Sequence, residues 1–362
     1  MKKFLQRILR TPIARLADKY SSRPDKARVH EALSQLHKAI LTKQTKKGEI
    51  VQFNAKVDKF IVLSDQHKGA KNGSDDFAIA EKNYLAALDY YYTNNYYYIN
   101  LGDSEELWEN SLSDVKKFNQ ETFEKEKKFL ERKAFTKIFG NHDLYWDNDP
   151  LAPFEIQKLY GEKVCVQEGI ILQTSIEDES LQIFLTHGHQ GDIVSDGNWF
   201  SKWFVSNVWA PLQSYLALNP NTPAYDDHLK TTHNKFMYEW TALQSNIILI
   251  TGHTHQPVFE SLTLFERLYQ QLNIAKETRN DKEINRIEAQ IKMKNANKNI
   301  SVDFSDYKPS YFNSGCCCFS DGDITGIEIA EGMIRLVKWE YVADIPTRIL
   351  LEEVELDIFI ED

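Results

Sequence analysis

Five short clusters of Asp, His and Asn punctuate the middle of this sequence: Asp65-Gln66-His67, Gly102-Asp103, Gly140-Asn141-His142-Asp143, His187-Gly188-His189 and Gly252-His253-Thr254-His255. Oxygen and imidazole donors of this kind suit Mn²⁺, Fe, Zn²⁺ or Co²⁺. None of the four cysteines falls in a cluster, which argues against a thiolate site. A closed structural zinc site uses about four ligands. The clusters offer more than that, enough for two metals sharing a bridging carboxylate. Two metals about 3.5–4 Å apart clamp both the attacking and the leaving oxygens of an in-line displacement. The reaction class that uses such a pair is hydrolysis of phosphate esters or anhydrides.

The elements that position these donors are legible in the residues just before them. Each cluster follows a short apolar run that reads as a buried strand: Phe60 to Leu63, Tyr96 to Leu101, Phe135 to Phe139, Ile183 to Leu185, and Ile247 to Ile250. In open α/β sheets the carboxyl ends of the strands form the crevice where ligands bind, so five clusters at five strand ends converge on one point. From Glu49 onward strands and helices alternate, the mark of a layered α/β domain. Ser74 or Asp75 caps a helix running to about Tyr92, with Phe77, Tyr84, Leu85 and Leu88 as its buried face. Residues 111–133 read as one charged helix. Val164 to Gln173 and Leu181 to Leu185 read as strands around an acidic turn, and Ser310 to Phe319, Thr325 to Ala330 and Met333 to Tyr341 as closing strands.

Taken in order, the clusters resemble the signature of the calcineurin-like metallophosphoesterase superfamily: D-x-H, G-D-x-x-[DE], G-N-H-[DE], a later His, and G-H-x-H. The resemblance spans roughly residues 57–258 plus the closing strands. It implies a layered α-β-β-α sandwich, two sheets packed face to face with helices outside. It also implies that Asp65, His67 and His255 hold a first divalent metal and Asn141, His187 and His253 a second, with Asp103 bridging and Mn²⁺ the leading candidate. The superfamily pattern favours His187 over His189, leaving His189 as a pocket residue. His142 would contact the phosphate and protonate the leaving oxygen, with Asp143 orienting its ring. Glu106 falls at the acidic position of the second motif, where it would support a His or the backbone; Glu105 and Glu109 read as solvated. The run Gly102 to Trp108 is also similar to the G-D-x-x-[DE]-x-W of UDP-2,3-diacylglucosamine pyrophosphohydrolases, although that group carries Arg where this chain has His142.

Charge divides the chain. Residues 1–47 hold thirteen Lys or Arg against three acids, while the whole chain is at −10, so the body from 48 to 362 is strongly acidic. An acidic body argues against duplex nucleic acid as the main partner; a phosphorylated small molecule or lipid is the substrate that the resemblance implies. The basic arm contains an amphipathic pattern over 2–20, which either lies on an anionic membrane surface or docks its apolar stripe on the body. A second helix over Lys26 to Ile40 follows, then a linker from Lys43 to Gly48. Trp199 to Leu218 forms an aromatic helical face just after the His187 cluster, read as core or as a lid over an apolar part of the substrate. Residues 264–298 read as a charged helical insertion, and Asp192 and Asp196 as helix caps. Lys230, His233, Lys235 and Lys68 are candidates to meet a second phosphate or an anionic head group, or else solvated surface. No apolar run is long enough to span a bilayer and no secretory h-region is present. Few cysteines suit a reducing compartment, so the expected location is the cytoplasm, peripheral to the inner face of a membrane if the arm binds lipid.

Overall fold

The computed structural model describes residues 25–43, 47–72, 75–191, 227–263, 268, 271, 272, 274–276, 278–293 and 308–360. The amphipathic pattern over 2–20, Ser74, the aromatic stretch 199–218, Asp192, Asp196 and the Lys230 side chain lie outside them.

Helix α1 (Lys26–Leu41) begins at Asp25, whose carboxylate accepts from Arg28 N at 3.0 Å. It leads into β1 (Ile50–Gln52) and β2 (Phe60–Leu63). Next come α2 (Phe77–Thr93), β3 (Tyr97–Leu101), α3 (Leu112–Phe118), α4 (Gln120–Glu131) and β4 (Phe135–Ile138). The chain continues through α5 (Tyr145–Asn148), α6 (Ala152–Tyr160), β5 (Val166–Gln167), β6 (Gly169–Ile176) and β7 (Glu179–Thr186). After it are α7 (Asp227–Ala242), β8 (Ile247–Thr251), β9 (Val258–Phe259), β10 (Leu262–Thr263) and α8 (Asp281–Met293). The last strands are β11 (Tyr311–Asn313), β12 (Ile324–Ala330), β13 (Met333–Val342) and β14 (Ile345–Glu355).

The strands form two sheets, ordered β1-β6-β7-β8-β11-β9-β10 and β14-β13-β12-β2-β3-β4-β5. In the second sheet β2, β3, β4 and β5 run parallel; in the first, β7, β8 and β11 do. Alternate residues of a strand face opposite ways, and burial follows that rule on both sides. Phe60 and Val62 join Ile99, Leu101 and Ile138 against Ile183, Leu185, Ile248 and Ile250 between the sheets. Ile61 and Leu63 face outward, into a core with Phe77, Tyr84, Leu88 and Phe129 from the helices. On the far side of the other sheet, Val29, Leu33, Leu36 and Ile40 of α1 pack with Met237 and Trp240 of α7 on Ile171, Phe184 and Leu249. The architecture is therefore helix, sheet, sheet, helix. Trp240 Nε1–H donates to Ser34 Oγ at 2.9 Å, tying α1 to α7 within the outer layer.

Several elements differ from their sequence reading, among them the strand expected over Val164 to Gln173, which divides into β5 and β6 in different sheets. The helix expected over 111–133 breaks at Asn119, whose side-chain amide donates to Val115 O at 2.9 Å and to Gly69 O at 2.7 Å. Of the expected strand Ser310 to Phe319, only Tyr311–Asn313 is strand, and the three cysteines leave the sheet beneath the clusters, where Cys317 N donates to Asp65 O at 3.1 Å. Strand β14 escaped detection. Its hairpin turns on Ala343 and Asp344, both at positive φ (51° and 63°), as a two-residue primed turn requires, but without the Asn-Gly or Asp-Gly pair that announces one. Within the insertion, Leu268, Leu272, Ala275 and Ile287 bury a small core of their own.

Candidate metal centre

The five clusters arrive from both sheets. Asp65 and His67 follow β2, Asp103 follows β3 and Asn141 follows β4; His187 follows β7, and His253 and His255 follow β8. Five of these residues hold left-handed backbone: Asp65 (φ 52°), His67 (50°), Asp103 (49°), His253 (68°) and His255 (53°). Each such conformation costs roughly 1–2 kcal/mol for a residue with a Cβ. Hydrogen bonds between the loops hold them there, among them Asp65 N to Gly102 O at 3.0 Å and His67 N to Asp103 O at 2.9 Å. The motif glycines are required by close approach. A Cβ at Gly102, itself at φ 90°, would lie 2.6 Å from His187 Nδ1, and one at Gly140 would collide with Asp103 Oδ1.

Each aspartate has one oxygen tied down and the other turned to the imidazoles. Asp103 Oδ1 accepts from His142 N at 2.7 Å, while Oδ2 lies 3.2 Å from His187 Nε2 and 3.8 Å from His67 Nε2. Asp65 Oδ2 accepts from His253 N at 3.0 Å and from Ser64 Oγ, while Oδ1 lies 3.2 Å from His255 Nε2 and 3.9 Å from His67 Nε2. His67 Nε2 and His255 Nε2 are 3.2 Å apart. His189 is buried, its ring 5.4 Å from that of His187 and 5.9 Å from that of Phe139.

His142 stands at the edge of this group. Its Nδ1 meets Glu106 Oε2 at 2.6 Å, and the Trp108 ring stacks on it with centroids 4.0 Å apart. The same Glu106 oxygen holds His67 Nδ1 at 2.9 Å. Asp143 does not touch the His142 ring, contrary to the sequence expectation. Its oxygens accept from Gly140 N at 2.6 Å and Ser104 N at 2.9 Å, which locks two motif loops together. Glu105 is not solvated either. It is fully buried, 3.2 Å from Lys68 Nζ and 2.9 Å from Lys137 Nζ, and accepts from Trp146 Nε1 at 2.6 Å. Lys68, paired again with Glu126 at 2.8 Å, is buried in this network and has no route to a substrate phosphate. Glu109 is exposed. His233 is buried rather than at the surface, and Lys235 is exposed, 3.9 Å from Glu239.

Several buried donor atoms here make no hydrogen bond and suit a cation. Asp65 Oδ1, Asn141 Oδ1 and His187 Nε2 are buried, and none makes a hydrogen bond. Buried polar atoms are nearly always paired, so three orphans at one point fit a metal ligand set. The field agrees: burial should lower the His187 imidazole, yet Asp103 and Asp65 raise it to about 9. Burial should likewise raise Asp103, but His187 and His142 hold it well below the usual carboxylate range. Ligand atoms of Asp103, His187 and His253 lie within 4.8 Å of one another, as do those of His67, His255 and Cys318. The residues present fit a pair of divalent ions.

The calcineurin-like phosphoesterase family model matches residues 58–257, which span every cluster and more than half the chain. The chain belongs to the calcineurin-like phosphoesterase family. That family is one of metal-dependent phosphoesterases, and the two-sheet layering is its fold. Curated protein sequences give no match. Solved structures similar to the chain include Vps29 from Cryptosporidium parvum, at 11% identity over 82% of this chain and 98% of that one, TM-score 0.32. A single mutant of Vps29 from Entamoeba histolytica shows 14% identity over 81% and 99%, TM-score 0.29. A dimetal phosphatase from Danio rerio shows 8% over 78% and 95%, TM-score 0.39. Similarity at these levels carries no argument about activity. Among the described residues no helix is long and apolar enough to cross a membrane.

Three residues near this phosphoesterase centre went unremarked or misplaced in the sequence. Trp108, in the sequence only the last residue of a motif, stacks on His142. Cys318 corrects the reading that no cysteine joins a cluster, since its Sγ lies 3.8 Å from His255 Nδ1. The available signal was its place after β11, a strand parallel to β8. His233 accompanies His253 at 5.2 Å between ring centroids.

Proposed function

We propose that the chain hydrolyses a phosphate ester or pyrophosphate bond with two divalent metals, Mn²⁺ foremost, held by Asp65, His67 and His255 on one side and Asn141, His187 and His253 on the other. Asp103 would serve both ions, since its Oδ2 lies near both His67 and His187. One observation carries this reading: loops from two sheets bring these donors to one buried point, where Asp65 Oδ1, Asn141 Oδ1 and His187 Nε2 make no hydrogen bond. When bound, such a pair supplies Lewis-acid stabilisation of the phosphoryl oxygens and a nucleophile at neutral pH.

The chain's own groups do the rest. Glu106 fixes the His142 ring through Nδ1, so Nε2 is the nitrogen that can hand a proton to the leaving oxygen. Burial lowers the affinity of that ring for a proton, while Glu106 and Asp103 act against it and raise His142 to about 9. Trp108 covers one face of the ring and limits its rotation. Asp143 and the buried Lys68–Glu105–Lys137 group hold the backbone of the loops that carry His67, Asp103 and Asn141.

A lipid-linked or nucleotide-sugar substrate, met at the inner face of a membrane through residues 1–20, is the finer reading supported by the Gly102 to Trp108 run and the basic arm. A soluble protein phosphatase or nucleotide phosphodiesterase is the rival within the same chemistry. A non-catalytic scaffold is disfavoured because every motif donor is still in place. The test is elemental analysis of metal content together with hydrolysis of nitrophenyl mono- and diesters in added Mn²⁺. About two metals per chain are expected, with turnover that vanishes in Asp103→Asn while the thermal melt of the metal-free chain stays put. No bound metal and no turnover with any divalent ion would move the scaffold to the front.

A further inference from the structure

Two imidazoles belong to the proposed first ion, and the structure shows which nitrogen of each faces it. His255 Nε2 lies 3.2 Å from both Asp65 Oδ1 and His67 Nε2, and His67 Nε2 lies 3.9 Å from the same carboxylate oxygen. Three donor atoms this close together suit one ion between them. A ligating imidazole is ordinarily held by a partner on its other nitrogen. For His67 that partner is Glu106, whose Oε2 lies 2.9 Å from Nδ1. For His255 it is a sulfur: Cys318 Sγ lies 3.8 Å from Nδ1, in hydrogen-bonding geometry. A neutral ring that ligates through Nε2 carries its proton on Nδ1, so the ring donates and the sulfur accepts.

The backbone holds that sulfur in place. Beyond β11 the chain turns at Gly315 (φ 76°), where a Cβ would collide with Thr325 Oγ1. Cys316 O then accepts from Thr325 N at 3.0 Å, and Cys317 N donates to Asp65 O at 3.1 Å. The Cys317 side chain joins the outer core with Ile61 and Leu63, while Cys318 is buried beside His255 at 9% exposure. Cys316 also adjoins the His255 ring, so the experiment must tell the two sulfurs apart.

We propose that Cys318 is a positioning residue of the first metal: its sulfur accepts the Nδ1–H of His255 and keeps Nε2 turned toward Asp65 Oδ1 and His67 Nε2. Cys317, its neighbour, is bonded to Asp65 O, so one short stretch of chain steadies two donors of the same ion. Sulfur is a weak acceptor beside a carboxylate. The first ion therefore has one imidazole held firmly by Glu106 and one held softly by Cys318. The inference rests on the two-metal reading, and the experiment separates the two.

Imidazole ¹⁵N–¹H correlation spectra of the Zn²⁺-loaded wild type should show a slowly exchanging proton on His255 Nδ1. Cys318→Ala and Cys318→Val, which offer no acceptor, should both lose the slow exchange, and Cys316→Ala should keep it. Zn²⁺ titration against a chelator, read ring by ring, should show the ion at His67 and His255 bound roughly 10–100-fold more weakly in the first two variants. The ion at His187 and His253 should be unaffected, and Cys318→Asn, whose amide oxygen can accept, should recover part of the loss. Wild-type affinity or slow exchange in Cys318→Val would reduce the sulfur to packing and overturn the proposal. A sulfur-to-metal charge-transfer band in the Co²⁺-loaded wild type that vanishes in Cys318→Ala would make it a ligand, which also overturns it. A wild type that fills only the His67–His255 site overturns the two-metal reading while the same variants still decide the role of Cys318; one that takes up no Zn²⁺ there overturns both. Should Cys318→Ala fail to fold, Cys318→Val and the wild-type spectrum decide it.

Discussion

Replacing Lys137 with Met should destabilise the chain by about 3–5 kcal/mol, the usual result of removing one member of a buried ion pair. Both side chains are fully buried, and Lys137 Nζ lies 3.0 and 2.9 Å from the two oxygens of Glu105. A second route gives a similar figure. Burial by itself would raise the Glu105 carboxyl, yet Lys137 and Lys68 hold it at about 2 against an ordinary 4.5. Ionisation at that site therefore contributes on the order of 3 kcal/mol at neutral pH. The folded value is depressed, so this stability is fully present above pH 4.5 and is lost as pH falls through about 2. In Lys137→Met the remaining cation, Lys68, is shared with Glu126 at 2.8 Å, so stability should begin to fall at a higher pH than in the wild type. Urea titrations at neutral pH and at pH about 4 measure both effects. Glu105→Gln in the Lys137→Met background should restore part of the loss, because no uncompensated charge remains. A single variant within about 1 kcal/mol of wild type at neutral pH would refute the claim that this network is integral to the loops carrying His67 and Asp103.

His142→Ala should keep both metals and lower kcat by roughly 10²–10⁴-fold, most for esters with poor leaving groups; an equal loss across a leaving-group series would remove its role as acid. Glu106→Gln weakens the hold on two rings at once. Metal titration should show the first ion bound about 10–100-fold more weakly, and kcat should fall alongside; unchanged values for both would mean that neither ring depends on this carboxylate.

The strands that place the donors were legible because parallel strands covered on both faces read as unbroken apolar runs, and Phe60–Leu63 is buried at every position. The loops' inner organisation was not. Asp143 is next to His142 in sequence, but a tight loop turns its carboxylate back onto Gly140 N, and Glu106 from another loop takes the ring. Lys68 and Lys137 look like surface residues in a string of letters. Their burial is decided by Glu105 and Glu126, which approach from a different loop and a helix. Cys318 and His255 are 63 residues apart in the chain, a distance that hides their proximity in the fold.

The division of donors between two sheets has a consequence for how the protein is born. His67 and His255 are 188 residues apart in the chain, yet their Nε2 atoms are 3.2 Å apart. A nascent chain that has folded only β2, β3 and β4 owns Asp65, His67, Asp103 and Asn141 but lacks every donor from the other sheet. Contacts this distant in sequence form late, after the loop-closure entropy has been met. Under the two-metal reading, the full pair binds only once both sheets are in place, and a half-assembled chain has no complete centre with which to cut a phosphate bond.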